Sequence, residues 1–391
     1  MTKFQVKRVS SESGVRILTL RHLLGISQAD LSLATGISQA QISLMERGER
    51  TLTPSAAQSI ARVTETPSTF FEVEDQPLPG PLTYRKLASA GARSAVGARF
   101  NEIERIANHV GNAVKFTHPS LPRAATSTES VITGEDIELY AQATRMALGL
   151  TAEAPVLNLT RSMERKGIIV VPIADRSEDL FHKHEGLSRP TYPSHRPFIT
   201  YVSGGSGDRE RFSKAHELGH LVLHGDRILL NEKAKEQEAN EFAGALLLPQ
   251  KSIENEVSET LNLNGYLKLK ATWGVSIQAI IARGYKLGLL SDSRRKSLMV
   301  QLSYKGWRKE EPIKVAPEEP ILLRQMLTKM YGSAPYTKAA QKLGITPKFL
   351  QLWAPGAEEN DVSERTARVT SREDENNNVV PLFGTHRNKA G

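Results

Sequence analysis

There is no cysteine among the 391 residues of the chain. That absence excludes disulfides, thiolate zinc knuckles, cysteine-held iron–sulfur clusters and thiol nucleophiles together, so any metal must be held by histidine and carboxylate. The chain also lacks an apolar run near the length a bilayer requires. Its first residues, MTKFQVKRVSSESG, carry basic side chains but no apolar stretch followed by a small-residue cleavage site. No membrane span and no secretory signal are expected, and the expected location is cytoplasmic. Charge of one sign is not concentrated either: 51 Lys and Arg are interspersed with 43 Asp and Glu, so the net +8 argues for a polyanionic partner only with a motif behind it. What remains, 39% hydrophobic and 24% charged residues, is the composition of a globular protein long enough for two or three cores.

Organisation follows from composition shifts. Residues 10–72 are dense in short amphipathic helical patterns and read as an all-α domain. The stretch EVEDQPLPGPLTYRKLAS (72–89) groups prolines with glycine and stops helices, which suits a linker over 73–95. Apolar residues at helical spacing from Val96 to Phe116 predict a long helix within a connecting region, 96–136. Residues 137–307 alternate helices with strand-like runs, GIIVVPI (167–173) and RPFITYV (196–202), an α+β pattern with a small sheet. A helical region, 308–354, precedes a polar stretch, 355–391, expected to be disordered.

In SQADLSLATGISQAQISLMERG (27–48), Ser27 is placed to cap one helix, with Leu31 and Ala34 inward. Gly36 supplies the turn, and Ser38 caps a second helix whose Ile42 and Met45 point into the core. Gln39, Ala40, Gln41 and Ser43 are left outward. Glutamine offers both a donor and an acceptor to an adenine edge, and small neighbours permit close approach to the major groove. Arg21, Arg47, Arg50 and the side-chain amide of Gln28 are candidate phosphate contacts. Two further copies of this corner, near Gly274 and Gly344, expose IQAIIARG and PKFLQLW, which are apolar where a groove reader is polar, and both read as packing corners.

The run FSKAHELGHLVLH (212–224) sets His216 and His220 about 40° apart around a helix and about 6 Å along it, so both imidazoles can reach one ion. Imidazole suits Zn²⁺, and a catalytic zinc needs a third protein ligand and an open position. Glu217 is placed to act as general base. A second helical segment, EQEANEFAGALLLP (236–249), offers Glu238 for the third ligand, with Glu236 and Glu241 as alternatives. His224 has drifted about 80° from His216 and suits a supporting role. Leu223 and Asp226 occupy the positions where a metzincin has glycine and a ligand, so that class fits poorly. Tyr201, His182, His184 and His195 are available to stabilise an oxyanion.

The segment from about 14 to 72, with SQADLSLATGIS, ISLMERGER and TPSAAQSIARVTETPSTFF, resembles the Xre-type (lambda-repressor-like) helix-turn-helix family. That resemblance implies a DNA operator as partner, a recognition helix opening at Ser38–Ser43 and contacts from Gln28, Ser38, Gln39, Gln41, Ser43 and Arg47, in domains that often pair as homodimers. FSKAHELGHLVLH with EQEANEFAGALLLP, from about Gly167 to Trp307, resembles the ImmA/IrrE family of zinc metallopeptidases. It implies a minimal gluzincin (zincin) fold, Zn²⁺ held by His216, His220 and Glu238, catalysis by Glu217, and a protein substrate, a transcriptional repressor. The combined expectation is a DNA-binding regulator carrying a zinc endopeptidase. The alternative is a transcription factor of phage or toxin–antitoxin type whose zincin-fold domain senses a ligand or partner without cleaving.

Overall fold

Helix caps written into the sequence divide the amino-terminal region. The computed structural model describes residues 14–73, 90–114, 120–124, 131–178, 186–187, 197–225, 227, 230–333 and 335–356. α1 (Val15–Leu24) stops at Gly25, whose left-handed φ of 69° lets its amide return to Arg21 and His22 carbonyls. α2 (Gln28–Thr35) starts in a reciprocal Ser27–Asp30 capping box and ends at Gly36, φ 73°. α3 (Gln39–Glu46) is capped by Ser38, and α4 (Pro54–Val63) by Thr53 with Pro54 in its first turn. A 3-10 turn, Ser68–Glu72, follows. Leu20, Leu31, Ile42, Met45, Ile60 and Phe70 fill the centre. Ala34, expected inward, is exposed, because so short a helix turns only its Leu31 stripe toward α3 and α4.

α5 (Ala90–Ala113) begins inside the segment expected to be linker and covers the expected connecting helix from Val96 to Ala113; residues 115 and 116 of that expectation lie outside the described residues. Its small residues Ala92 and Ala95 and its larger Phe100, Ile103 and Val110 are buried. α5 packs on α1, on α14 (Leu322–Tyr331) and on a small sheet. In that sheet β1 (Ile169–Asp175) pairs in parallel with β3 (Phe198–Ser203), and the short β2 (Gly186–Leu187) pairs antiparallel on the other side of β3. The apolar run of β1 is unbroken because both faces are covered. Ile169, Val171 and Ile173 face one core, with α1–α5 and the last helices, and Val170 faces a second core with Ile199 and Tyr201 of β3.

The second core belongs to α6 (Gly134–Ala147), α7 (Leu159–Arg165), α8 (Gly207–Leu223), α9 (Glu232–Leu247), α10 (Gln250–Glu254), α11 (Leu263–Trp273), α12 (Ile277–Lys286) and α13 (Asp292–Tyr304). The chain then returns to the first core through α14, α15 (Pro335–Leu343) and α16 (Pro347–Trp353). Both extra helix corners are packing corners. Ile277, Ile280 and Ile281 are buried on α12 and Phe349, Leu350 and Trp353 on α16, while Gly344, φ 58°, lies where a Cβ would come 2.8 Å from the Thr69 carbonyl oxygen.

The amino-terminal helices are therefore joined to the sheet by buried charge as well as by apolar contact. Arg16 on α1 pairs with Glu102 of α5 at 2.5 Å and donates to the Phe70 carbonyl. Arg99 of α5 donates to the carbonyls of Leu23 at the end of α1 and Ile173 in β1, and pairs with Glu178 at 2.7 Å. The expected disordered stretch lies, from residue 357 on, outside the described residues. Among the described residues no helix is long and apolar enough to cross a membrane.

Candidate metal centre and nucleic-acid interface

α8 and α9 run antiparallel and pack closely, and one glycine allows it. A Cβ at Gly219, inside HELGH, would come 3.0 Å from Phe242 Cδ1 and 3.3 Å from Ala239 Cα, so that the Phe242 ring and the α9 backbone would both have to give. The signal for this role was a small residue at the centre of the motif, facing the alanine of EAN. Asn231 opens α9 by accepting from the Ala234 amide, which sets the helix so that Glu236 and Asn240, one turn apart, both face α8.

Three donor atoms converge there. His220 Nε2 lies 3.0 Å from His216 Nε2, and the Glu236 carboxylate lies 3.3 Å from His220 Nε2 and 3.6 Å from His216 Nε2. Donors bound to one ion at zinc–nitrogen distances with tetrahedral angles stand about 3.3 Å apart, so the triangle fits such an ion. Its chemistry fits as well. Asn240 Nδ2 donates to the Glu236 carbonyl, so its Oδ1 accepts from His216 Nδ1 at 3.1 Å, which leaves His216 Nε2 a bare lone pair. Burial pushes the Glu236 carboxyl up, but the adjoining His216 and His220 imidazoles outweigh it and hold the group well below the usual carboxylate range. Among the described residues, His216, His220 and Glu236 form the His and carboxylate group able to hold an ion.

The carboxylate expected to close the triangle, Glu238, is not in it. Two residues along a helix turn about 200°, so Glu238 leaves the face that Glu236 presents. Its oxygens accept from Arg227 Nη1 at 2.5 Å, Arg227 Nη2 at 3.2 Å, the Ile132 amide at 2.8 Å and His224 Nε2 at 3.1 Å. Burial pushes this carboxyl up, and the His224 and Arg227 contacts more than reverse it, to about 2. Burial also pushes His224 down to about 4, against the pull of Glu238. Glu241, the other alternative, pairs with Lys286 at 2.8 Å. Glu217 lies on the same helix as the histidines and is 3% exposed.

The far side of α8 anchors it. Lys214, about 200° from His216 around the helix, is fully buried, donates to the Glu318 carbonyl at 2.7 Å and lies 4.1 Å above the Tyr201 ring. Tyr201 is thus on the opposite side of α8 from the donor triangle, which removes it as an oxyanion group. His182, His184 and His195 lie outside the described residues. Arg211 pairs with Glu318 at 2.7 Å, and Glu318 also accepts from the Leu159 and Thr160 amides that open α7. The irregular segment after α13 therefore clamps α8 against α7.

On the amino-terminal domain, Ser38, Gln39 and Ala40 are exposed and Gln41 and Ser43 half-buried along the opening of α3. Ser38 Oγ accepts from the Gln41 amide as the cap. Arg47 is half exposed and donates to Ser43 Oγ and to Glu49. Gln28 donates to Glu46 at 2.7 Å. Arg21 is not a phosphate contact: it is buried, forms a two-point pair with Glu46 at 2.6 and 2.9 Å and donates to the Ile26 carbonyl.

Two family models match the chain. Residues 17–71 match one described as helix-turn-helix, and residues 164–284 match the IrrE N-terminal-like domain, a peptidase family. No curated protein matches the chain. The first span covers α1 to the 3-10 turn; the second runs from α7 to α12 and contains the donor triangle.

Proposed function

We propose that this chain, which carries a helix-turn-helix domain ahead of an IrrE/ImmA-type peptidase-family domain, is a transcriptional regulator whose second domain is a zinc-dependent endopeptidase of zincin type, acting on a repressor or related regulatory protein. The observation that carries the reading is the triangle of His216, His220 and Glu236 at tetrahedral spacing, on the helix that also bears Glu217. His216, His220 and Glu236 hold the ion, with Glu236 in the place first expected for Glu238. A bound Zn²⁺ supplies Lewis acidity toward a scissile carbonyl and acidifies a water molecule. Glu217 takes the proton released from that water and delivers it to the leaving amine nitrogen. Gly219 keeps α9 close enough for Glu236 to complete the site.

The amino-terminal domain, with the boundary near residue 72, places the chain on an operator as a homodimer over paired half-sites. Gln39 and Gln41 read base edges; Ser38, Ser43, Arg47 and Gln28 fix the helix on the backbone. Tethering on DNA raises the local concentration of the peptidase near a DNA-bound substrate.

The test is Glu217→Gln, expressed beside regulatory proteins from the same locus. A cleavage product present with wild type and missing with the variant supports endopeptidase action. Regulation that persists with no product in either strain replaces it with the sensing alternative. One observation favours that alternative: the two domains share the sheet as a common wall, so occupancy of the centre can bias DNA binding without hydrolysis.

A further inference from the structure

Glu238 is the carboxylate first expected on the metal, yet it faces four donors. Arg227 and the Ile132 amide can only donate, so the carboxylate that meets them at 2.5, 3.2 and 2.8 Å is ionised and cannot donate in turn. His224 Nε2, 3.1 Å from Glu238 Oε2, must therefore carry a hydrogen. Arg227 already supplies the cation this carboxylate needs, and His224 is 2% exposed, so a second proton on His224 would place an extra charge in a buried site. With one hydrogen, on Nε2, the imidazole has a bare Nδ1. That atom stands 2.9 Å from His220 Nδ1. Among the described residues no third ligand stands beside this pair to share an ion with it, so the two ring nitrogens need one hydrogen between them, and it can come only from His220. The Nε2 pair of His216 and His220, 3.0 Å apart, differs in having the Glu236 carboxylate beside it, where an ion takes both lone pairs. His220 then has a bare Nε2, the atom that faces His216 and Glu236.

We propose that Glu238 and His224 are positioning residues: the chain Glu238–His224–His220 selects the tautomer of His220 and aims its Nε2 lone pair into the donor triangle. The inference rests on the reading of that triangle as a metal site. It assigns Glu238 a role exerted through two imidazoles instead of a place on the ion. Direct ligation by Glu238 would require the carboxylate to leave the buried Arg227 and the half-buried Ile132 amide. Asn240 performs the same service for His216 from the other side. The two histidines are thus oriented by separate partners, one amide and one relayed carboxylate, the arrangement by which metal-binding imidazoles are commonly held.

Zinc affinity of the full chain, measured by chelator competition, tests this, with the melting temperature of the metal-free protein as the check on folding. His224→Leu removes both hydrogen bonds and lowers affinity about 10–100-fold. His224→Gln, whose amide can accept from His220 and donate to Glu238, restores most of it. Nitrogen-15 spectra of the zinc-loaded protein show His224 protonated on Nε2 and His220 on Nδ1. Wild-type affinity in the Leu variant, or a His224 protonated on Nδ1, overturns the relay. Glu238→Ala abolishing binding while Glu236→Ala retains it overturns the relay alone and makes Glu238 the ligand. Binding unaffected by His216→Ala overturns the reading of the centre and the relay that depends on it.

Discussion

The opening of α3 and the middle of α8 are both short helical stretches with polar side chains, and they treat those side chains in opposite ways. On α3, Ser38, Gln39 and Ala40 stand in solvent and Arg47 bonds only to neighbours on its own surface, Ser43 and Glu49. Around α8, His216, His220, His224, Glu238 and Arg227 are buried, and each bonds to a partner whose own partners are visible. A groove reader keeps donors and acceptors uncommitted until a base edge arrives, and water satisfies them meanwhile. A metal centre needs lone pairs aimed before the ion arrives, and only a desolvated network with every hydrogen allocated can aim them. The same residue classes serve both ends because burial, not composition, decides which behaviour they show.

The sharpest break of that contrast is at Glu217. Glu217→Gln should lower hydrolysis about 10²–10⁴-fold, the usual share of a general base, with zinc stoichiometry and operator affinity unchanged; loss of zinc with the rate would recast Glu217 as part of the binding network. Next in size is Arg21, which lies in the recognition domain but is treated like the residues of α8. Arg21→Met leaves Glu46 buried without its cation, and the expected loss is about 3–5 kcal/mol of stability, read by thermal or urea unfolding. A variant that melts like wild type and loses only DNA affinity would return Arg21 to the exposed, phosphate-binding class.

Lys214 sharpens the comparison from inside α8. Burial lowers this amine from its usual 10.5 to about 8. Between those two values the unfolded chain binds the proton that the folded chain has released, so stability rises with pH across the window and is flat below about 8. At about 1.4 kcal/mol per unit the ceiling is about 3 kcal/mol. Lys214→Met should lack this rise, seen as a wild-type-minus-variant difference in unfolding free energy that grows from pH 8 toward 10.5. A difference independent of pH would show that the amine stays charged in the interior.

What was legible in the sequence follows the same division between local and tertiary causes. Ser27, Gly36, Ser38 and Thr53 act within one turn of their own position, and the helices they bound can be read directly. HELGH is legible because four residues on a helix fix the separation of two imidazoles whatever surrounds them. Which of Glu236, Glu238 and Glu241 faces the histidines was not, because a count from His220 gives the reach of α9 and not its rotation. That rotation depends on Gly219 lying against Ala239 and Phe242 and on the start at Asn231. Arg21 misleads for a related reason: a basic side chain beside a recognition corner suggests phosphate, and only the fold brings Glu46 to it. GIIVVPI announces a strand, but not that its two faces are covered by different halves of the chain. The two-residue β2 is too short to leave any period.

The smallest effects are expected on α3, and their pattern matters more than their size. Gln39→Ala and Gln41→Ala each remove a side chain able to meet a base edge with a donor and an acceptor, so the loss should be about 1–3 kcal/mol on the preferred operator and near zero on unrelated DNA. Arg47→Ala removes a charge that lies 2.6 Å from Glu49 in the free protein. To reach a phosphate, Arg47 must leave that partner, and an exposed, solvent-screened pair of this kind holds it only weakly. Binding should therefore weaken to a similar degree on all sequences, and the salt slope of log affinity should fall by about 1. Binding titrations at three salt concentrations, on operator and on scrambled DNA, separate the two patterns. If Arg47→Ala erased sequence preference while the glutamine variants kept it, the base-reading surface would lie at the end of α3 near Glu49 and not at its opening.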